Sequence, residues 1–505
     1  MKKTTRRDFL KLAGAVSLTF PRLGKTAPDG FQPLEKSGGA ERPNIIFAFS
    51  DEHRWQSMSF TEMPELKTPM MARLAQEGAS FVNCISNNPI CVPARTMIMT
   101  GKWPYATRAL ENNGAILDAA NQPRLGKVFS VAGYKTFYVG KWHIGMRPEI
   151  AGFSQTQVWE NTDHHWNSFY NENGKRTFYK GYNATGMTEQ ALKFMETCAQ
   201  ARQPFFVMVG WNPPHAVFTD PPDDMKALYP LGSLPHRPNF SVKDKHKEDE
   251  AAAYQGYHAH ISAIDRELGR LLQRLDALKL AQNTIVIYTS DHGSMFGSQG
   301  KGSKRHPEEE SIRIPFIARW PGKIPAGTRP QQLLGHIDFF PTLCGLAGLP
   351  VPASCHGANL APAVCGEPVP GPDSQFIMHI SNKKDADKVA DDSKALVFRP
   401  YFRGVRTKQY TYAIGVHGPW LLYDNQKDPY QQKNLIGTPA AAQAQADCQK
   451  LLDEWLAKAE YAHMPPDLKT KLLAMNLPDR IAWQNLEAIK FAQKQLDSGA
   501  PVENE

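Results

Sequence analysis

Four stretches of the 505-residue chain place ionisable side chains directly after a short apolar run. NIIFAFSDEH delivers Asp51 and Glu52, YKTFYVGKWHIG delivers Lys141 and His143, PFFVMVGWNPPH delivers His215, and NTIVIYTSDHG delivers Asp291 and His292. If these runs converge, Asp51, Glu52 and Asp291 bring up to three carboxylates together. Unpaired, such acids repel and one is forced neutral. A divalent cation removes the conflict, and oxygen-rich donors suit calcium, magnesium or manganese. The competing reading has the same acids capping helices or pairing with Arg and Lys. Lys141, His143, His215 and Arg95 add cationic or protonatable groups near the same edge. Carboxylates, a metal and several cations in one pocket suit a tetrahedral oxyanion, either sulfate or phosphate.

A fifth stretch, CVPAR at 91–95, carries a cysteine with no second cysteine within five residues on either side. From the residues alone, Cys91 is half of a disulfide, a thiol nucleophile, a metal ligand or the precursor of a modified side chain. Pro93 fits the first turn of a helix, where its missing N–H costs nothing, and helix N-termini favour anions. The seven cysteines (84, 91, 198, 344, 355, 365 and 448) show neither CxxC pairs nor a Cys/His zinc spacing. Cys355 and Cys365 could bridge in an oxidising compartment, but buried free thiols are the commoner outcome in a large core, so no bridge is expected.

Positioning these residues requires particular elements. Continuous apolar runs of this length read as strands buried on both faces, the habit of parallel sheets covered by helices. Helical stretches lie between them, among them TPMMARLAQEGA and YHAHISAIDRELGRLLQRLDAL. The second sets Ile261, Ile264, Leu268, Leu271, Leu272 and Leu275 at helical spacing. The alternation predicts an α/β fold, a doubly wound and mostly parallel sheet flanked by helices. Ligands bind such sheets beyond the carboxyl ends of the strands, where all four polar clusters fall. After about residue 365 the pattern weakens. EPVPGPDS reads as a linker, FRGVRTKQYTYAIGV and WLLYDNQKDPYQQKNLI as short antiparallel strands joined across KKDADKVADDSK, and the polar tail from about 440 as helical. The expected organisation is a leader over 1–40, a catalytic domain over 41–365 and a smaller C-terminal α+β subdomain over 366–505.

Composition is that of an ordinary soluble protein, with 41% hydrophobic and 21% charged residues. The net charge of +8 is concentrated in residues 1–25, which carry +6, and removing them leaves about +2. That gives no case for nucleic-acid binding. The same stretch contains TTRRDFLKLAGAVSLTF, which is too short and polar to span a bilayer. It resembles a bacterial twin-arginine export signal, an address read by the twin-arginine translocation machinery for proteins exported already folded. The resemblance implies an exported, periplasmic protein. No transmembrane helix is expected elsewhere.

The ordered motifs resemble the type I sulfatases, of the alkaline phosphatase-like superfamily. CVPAR matches their C-x-P-x-R signature, followed by Thr100 and Gly101, and GKWHIG at 140–145 matches a second signature. PNIIFAFSDEHR, NPPHAVF, YTSDHG, KRHPEEESIRIPFIARWPG, HIDFFPTLCGLAG and LLYDNQKDPYQQKNLI match further blocks in family order, so that the likeness covers roughly 42–435. It implies that a maturation enzyme oxidises Cys91 to formylglycine, whose hydrate attacks sulfur and later expels the sulfate. It implies Asp51, Glu52, Asp291 and His292 as ligands of a divalent metal, usually calcium. Arg95 would orient the formylglycine. His143 would take the second proton of its diol. Lys141, His215 and Lys304 would hold the sulfate, with His215 or Lys304 as the acid for the leaving alcohol; Lys304 rather than Lys301 has the nine-residue spacing to Arg313. Two departures stand out, because Glu52 replaces the commoner Asp, and His292, whose imidazole nitrogen is a softer donor than an amide oxygen, replaces the commoner Asn.

For the organic portion of the substrate, Asn112, Asn113 and the stretch DHHWNSFY at 163–170 are candidates. Trp166 could stack on a sugar while His164 or His165 binds hydroxyls; an ordinary aromatic-rich loop reads equally well. A sulfated glycan or a small sulfate ester is the expected substrate. The rivals are a phosphonate monoester or phosphodiester hydrolase of the same superfamily, and a non-catalytic glycan-binding paralogue.

Overall fold

β1 (Asn44–Ser50) is buried at every position, and its alternate residues serve two cores. Ile45, Phe47 and Phe49 face one apolar cluster, Ile46 and Ala48 the other. This is the period of a strand covered on both faces. The computed structural model describes residues 42–112, 116, 122–159, 164–172, 174–241, 247–380, 402–415, 418–460 and 462. The leader at 1–40, Asn113, the loop 383–394 and the tail beyond 462 lie outside the described residues.

The remaining strands of the main sheet are β2 (Ala79–Ser80), β4 (Lys135–Lys141), β5 (Gln155–Trp159), β6 (Phe169–Glu172), β7 (Lys175–Phe178), β8 (Phe205–Trp211), β9 (Thr284–Ser290) and β10 (Phe316–Arg319). β3 (Asn83–Ile85) pairs with β11 (Leu333–Gly335) in a small separate sheet. The nine-stranded order is β2-β10-β9-β1-β8-β4-β5-β6-β7. The five strands from β9 to β5 run parallel. β10, β2 and the β6–β7 hairpin complete the edges antiparallel. The expected doubly wound, mostly parallel sheet is present.

Helices cover both faces. Pro69–Gln76, Asn183–Gln200 and Lys247–Ala277 contribute Met71, Met187 and Leu268 to one core; Cys91–Thr100, Leu125–Val131 and His336–Leu346 contribute Ile98, Phe129 and Phe339 to the other. All six apolar residues singled out on the long helix, from Ile261 to Leu275, are fully buried. Asp265 of that helix accepts the backbone N–H groups of Met70 (3.0 Å) and Met71 (2.7 Å), closing the first turn of Pro69–Gln76.

A second, antiparallel sheet is formed by β12 (Ser374–His379), β13 (Phe402–Thr407), β14 (Tyr410–Gly415) and β15 (Gly418–Asp424), with the helix Ala442–Ala459 against it. β12 follows the expected linker directly; its six residues were not anticipated as a strand. Met97 and Trp103 of the main body enter the core of this subdomain, and Trp103 meets Phe376 and Trp455 edge-on at 5.5 and 5.6 Å. No helix of the described residues is long and apolar enough to cross a membrane.

Candidate active site

The four strands whose ends carry ionisable residues are immediate neighbours, in the order β9-β1-β8-β4. Their ends lie level: Ser50 pairs in register with both Ser290 and Trp211, and Gly140 with Gly210. A Cβ on Gly140 would stand 2.2 Å from the Gly210 carbonyl oxygen, so glycine is required where β4 and β8 draw close before Lys141. Glu52 and His143, just past two of these ends, have φ of 75° and 43°, a conformation that non-glycine residues adopt at a cost of about 1–3 kcal/mol.

Cys91 opens the helix Cys91–Thr100, with Pro93 in its first turn. Its Sγ lies 3.3 Å from His292 Nε2, 3.8 Å from Asp51 Oδ1 and 3.7 Å from Lys304 Nζ. Arg95, one helical turn on, donates through Nε to Asp291 Oδ2 (2.8 Å) and through Nη2 to Asp51 Oδ2 (3.0 Å). Its Nη1 donates to the Lys141 carbonyl at 2.6 Å, and Lys141 Nζ lies 2.7 Å from Asp51 Oδ2. Lys304 Nζ donates to Glu52 Oε2 at 2.9 Å, and His215 Nε2 lies 3.9 Å from the same oxygen. Lys301 pairs instead with Glu308.

Burial is the largest influence on Asp51, Glu52, Cys91, His215, Asp291 and His292; surrounding charges overturn it at Asp51, Glu52, Cys91 and His292 but not at His215 or Asp291. Burial would raise Asp51, but Lys141, His215, Arg95 and Lys304 hold it well below the usual carboxylate range. Glu52 is lowered likewise, against burial, chiefly by Lys304 and His215. Asp291 is pushed up by burial and by the charge of Asp51. Burial, with Lys141 and Lys304 close by, takes His215 down to about 4. Against burial, Asp291 takes His292 up to about 9. The Cys91 thiol, opposed by burial and Asp51, is still held well below the ordinary thiol range by Lys304, Lys141 and His292.

Asp51 and Asp291 are displaced in opposite directions although both meet Arg95, because two acids sharing one buried space resist ionising together, a conflict that a divalent cation would relieve. The donor set fits one. Asp51, Cys91, Asp291 and His292 offer ligand atoms within 4.8 Å of one another, as do Asp51, Glu52 and His215. His292 Nδ1 lies 2.9 Å from the Gly293 carbonyl oxygen, to which it donates, which leaves Nε2, 3.6 Å from both Asp51 and Asp291, as the nitrogen that would give up its proton to bind a metal.

Other expected residues are placed differently. Asn112 Oδ1 accepts the Val92 N–H at 3.1 Å, fastening the first turn of the Cys91 helix. His165 is fully buried and donates through Nδ1 to Asp220 Oδ1 at 2.7 Å, while its backbone N–H donates to Oδ2 at 2.9 Å. Trp166 is 40% exposed, with its Nε1 donating to the Asp220 carbonyl at 2.8 Å. His164 is exposed beside it. His143 Nδ1 is buried with no hydrogen-bond partner among the described residues.

A cavity of about 470 Å³ opens beside Glu52, His215 and Lys304, and its further walls include Ala216, Phe218, Glu250 and Phe296. Ala216 and Phe218 belong to the NPPHAVF block, whereas Glu250, at a helix start, and Phe296, in a turn, fall in none of the motifs.

The profile of the sulfatase family matches residues 43–349, and that of the C-terminal region of N-sulphoglucosamine sulphohydrolase matches 297–458. The chain belongs to the sulfatase family, enzymes that hydrolyse sulfate esters. An ulvan-active sulfatase of Formosa agariphila is 31% identical over 458 residues, spanning 88% of this chain and 86% of the relative. An endo-4-O-sulfatase of Bacteroides thetaiotaomicron is 31% identical over 465 residues, spanning 80% and 90%. Among solved structures, a Bacteroides thetaiotaomicron protein described with the metabolism of multiple glycosaminoglycans superposes with a TM-score of 0.76. It is 27% identical and spans 87% of this chain and 100% of its own.

Proposed function

We propose that the protein is an exported sulfatase that hydrolyses sulfate esters of glycans through a formylglycine made from Cys91. The observation that carries this reading is the position of Cys91 at a helix start, its Sγ 3.3 Å from His292, 3.8 Å from Asp51 and 3.7 Å from Lys304. The names of the relatives, an ulvan-active sulfatase and an endo-4-O-sulfatase, and the solved structure described with glycosaminoglycan metabolism support a glycan substrate. Export rests on the twin-arginine stretch at the N-terminus, and the domain reading of 41–365 and 366–505 on the change from parallel to antiparallel sheet.

The Cys91 sulfur marks where a hydroxyl of the aldehyde hydrate would stand. That hydroxyl gives up its proton to solvent and attacks sulfur as the oxyanion, and the bond from sulfur to the sugar oxygen breaks. Lys304 gives the departing alkoxide a proton, while Lys141 and His215 steady the sulfate oxygens. The second hydroxyl of the hydrate then loses its proton to His143, the carbon–oxygen bond to sulfate breaks, and the aldehyde returns. Water rehydrates it, so the net change is sulfate ester plus water to alcohol plus hydrogen sulfate. A sulfated serine would need outside attack to clear, whereas the sulfated hydrate collapses by itself. Asp51, Glu52, Asp291 and His292 would hold a divalent cation, calcium by resemblance to the family, and a cation there would acidify the attacking hydroxyl and polarise the sulfate.

Mass spectrometry of the tryptic peptide 74–95 from the native organism is expected to show the mass loss of thiol to aldehyde at Cys91. A fully unmodified peptide overturns the mechanism. Matured enzyme is expected to favour sulfate esters over phosphodiesters and phosphonate monoesters in kcat/KM; the reverse preference by orders of magnitude makes it the sister hydrolase.

A further inference from the structure

The cavity beside Glu52, His215 and Lys304, about 470 Å³, has room for a sugar ring and part of its neighbour. At its catalytic wall the charges are matched: Lys304 holds Glu52 at 2.9 Å, and Lys301 is paired with Glu308. Its outer walls are apolar, with Ala216 beside an edge-on pair of Phe218 and Phe296 whose rings lie 4.8 Å apart. Glu250, in the first turn of the helix Lys247–Ala277, breaks this pattern. Its Oε1 is buried, and no described residue donates a hydrogen bond to it. Burial raises its carboxyl above the ordinary glutamate range, the mark of an acid without a compensating partner.

A buried acceptor left unmade costs about 1–3 kcal/mol, which a ligand recovers by donating to it. Sugar hydroxyls and acetamido N–H groups are such donors. A second anion on the substrate, whether a uronate carboxylate or another sulfate, would meet the carboxylate as a like charge in a poorly solvated wall.

We propose that Glu250 is a specificity-determining residue of the pocket for the leaving alcohol, selecting sulfate esters on sugars that present a hydroxyl or N–H to it and rejecting sugars that present a second anion there. The proposal rests on the sulfatase reading, since it takes the sugar portion of a sulfate ester as the occupant of this cavity.

The test compares kcat/KM of the matured full-length enzyme for four sugars: a neutral hexose monosulfate, an N-acetylhexosamine monosulfate, a hexuronate monosulfate and a disulfated hexose. 4-Nitrophenyl sulfate serves as a reference for the chemistry alone. The parent is expected to prefer the neutral sugars by about tenfold or more, one like-charge contact at this depth. Glu250→Gln is expected to narrow that gap to about threefold, mainly through KM, with each rate taken relative to that variant's own rate on 4-nitrophenyl sulfate. An unchanged ratio in both Glu250→Gln and Glu250→Ala, at parent-like melting temperature, overturns the proposal. Dissociation constants of the same four sugars on the Cys91→Ala enzyme read selection without turnover. Equal affinity for neutral and anionic sugars overturns the role of Glu250 whatever the chemistry. Selective binding, together with matured enzyme that releases no sulfate, supports that role while overturning the sulfatase mechanism.

Discussion

Arg95 answers two carboxylates with one planar fork, meeting Asp291 at 2.8 Å and Asp51 at 3.0 Å, with none of the three side chains exposed. A lysine ammonium is a single point and cannot span both acids. Arg95→Lys is therefore expected to lower stability by about 3–5 kcal/mol, the cost of breaking a buried pair, measured by denaturant melts. At the same scale, the proton donor can be identified from the leaving group. If Lys304 protonates the departing oxygen, Lys304→Met loses about 10²–10⁴ in kcat/KM on an alkyl sulfate and much less on 4-nitrophenyl sulfate, whose phenolate leaves without help. Equal losses on both substrates would assign Lys304 to sulfate binding alone. Chelation of divalent ions is expected to lower the melting temperature as well as activity, because a cation held by Asp51 and Asp291 would bind only the folded chain and so stabilise it. Calcium should restore both.

The helix Cys91–Thr100 is clamped between two cores: Ile98 and Met99 face the main sheet, and Met97 faces the C-terminal subdomain. Trp103 extends the second contact, and Trp103→Ala is expected to cost about 3–5 kcal/mol. The activity of whatever folds should fall too, since the nucleophile sits at the head of the same helix. A second element carries a pH signature. Burial pushes Asp265 up to about 7, against the N–H groups of Met70 and Met71. Its folded value exceeds the unfolded one, so its contribution is complete below pH about 4 and is lost as pH rises through about 7. Asp265→Asn is expected to flatten that part of the profile. The melting temperature of the variant relative to the parent should rise between pH 4 and 7; a constant difference would mean the carboxyl titrates normally.

Across the whole molecule, the shared core of Met97, Trp103, Ile337 and Phe376 argues against two independently folding halves. A single cooperative melt is expected by calorimetry, and a chain ending at 365 is expected not to fold, because it would expose that surface. Much of this architecture was legible in the chain. β1, β4, β8 and β9 were visible because strands buried on both faces must be continuously apolar, and each stops where polar residues begin. The hairpin β6–β7 was not, since FYNE and KRTF sit at an edge, largely solvent-facing, and owe their pairing to the neighbouring strand. β12 is buried at all six positions and was obscured instead by the proline-rich linker that runs into it.

The sequence by itself determined the chemistry: carboxylates at strand ends, a cysteine before a proline, and cations nearby follow from residue type and local spacing. Only the tertiary structure decided who touches whom. Arg95 bridges acids that are 240 residues apart, since Asp51 and Asp291 meet through the adjacency of β1 and β9. His165 is held by Asp220, and Glu250 reaches a cavity built from three distant segments. Strand order and helix packing create those encounters, and neither is written in any local run of residues, because both depend on how buried surfaces fit together once the chain has closed.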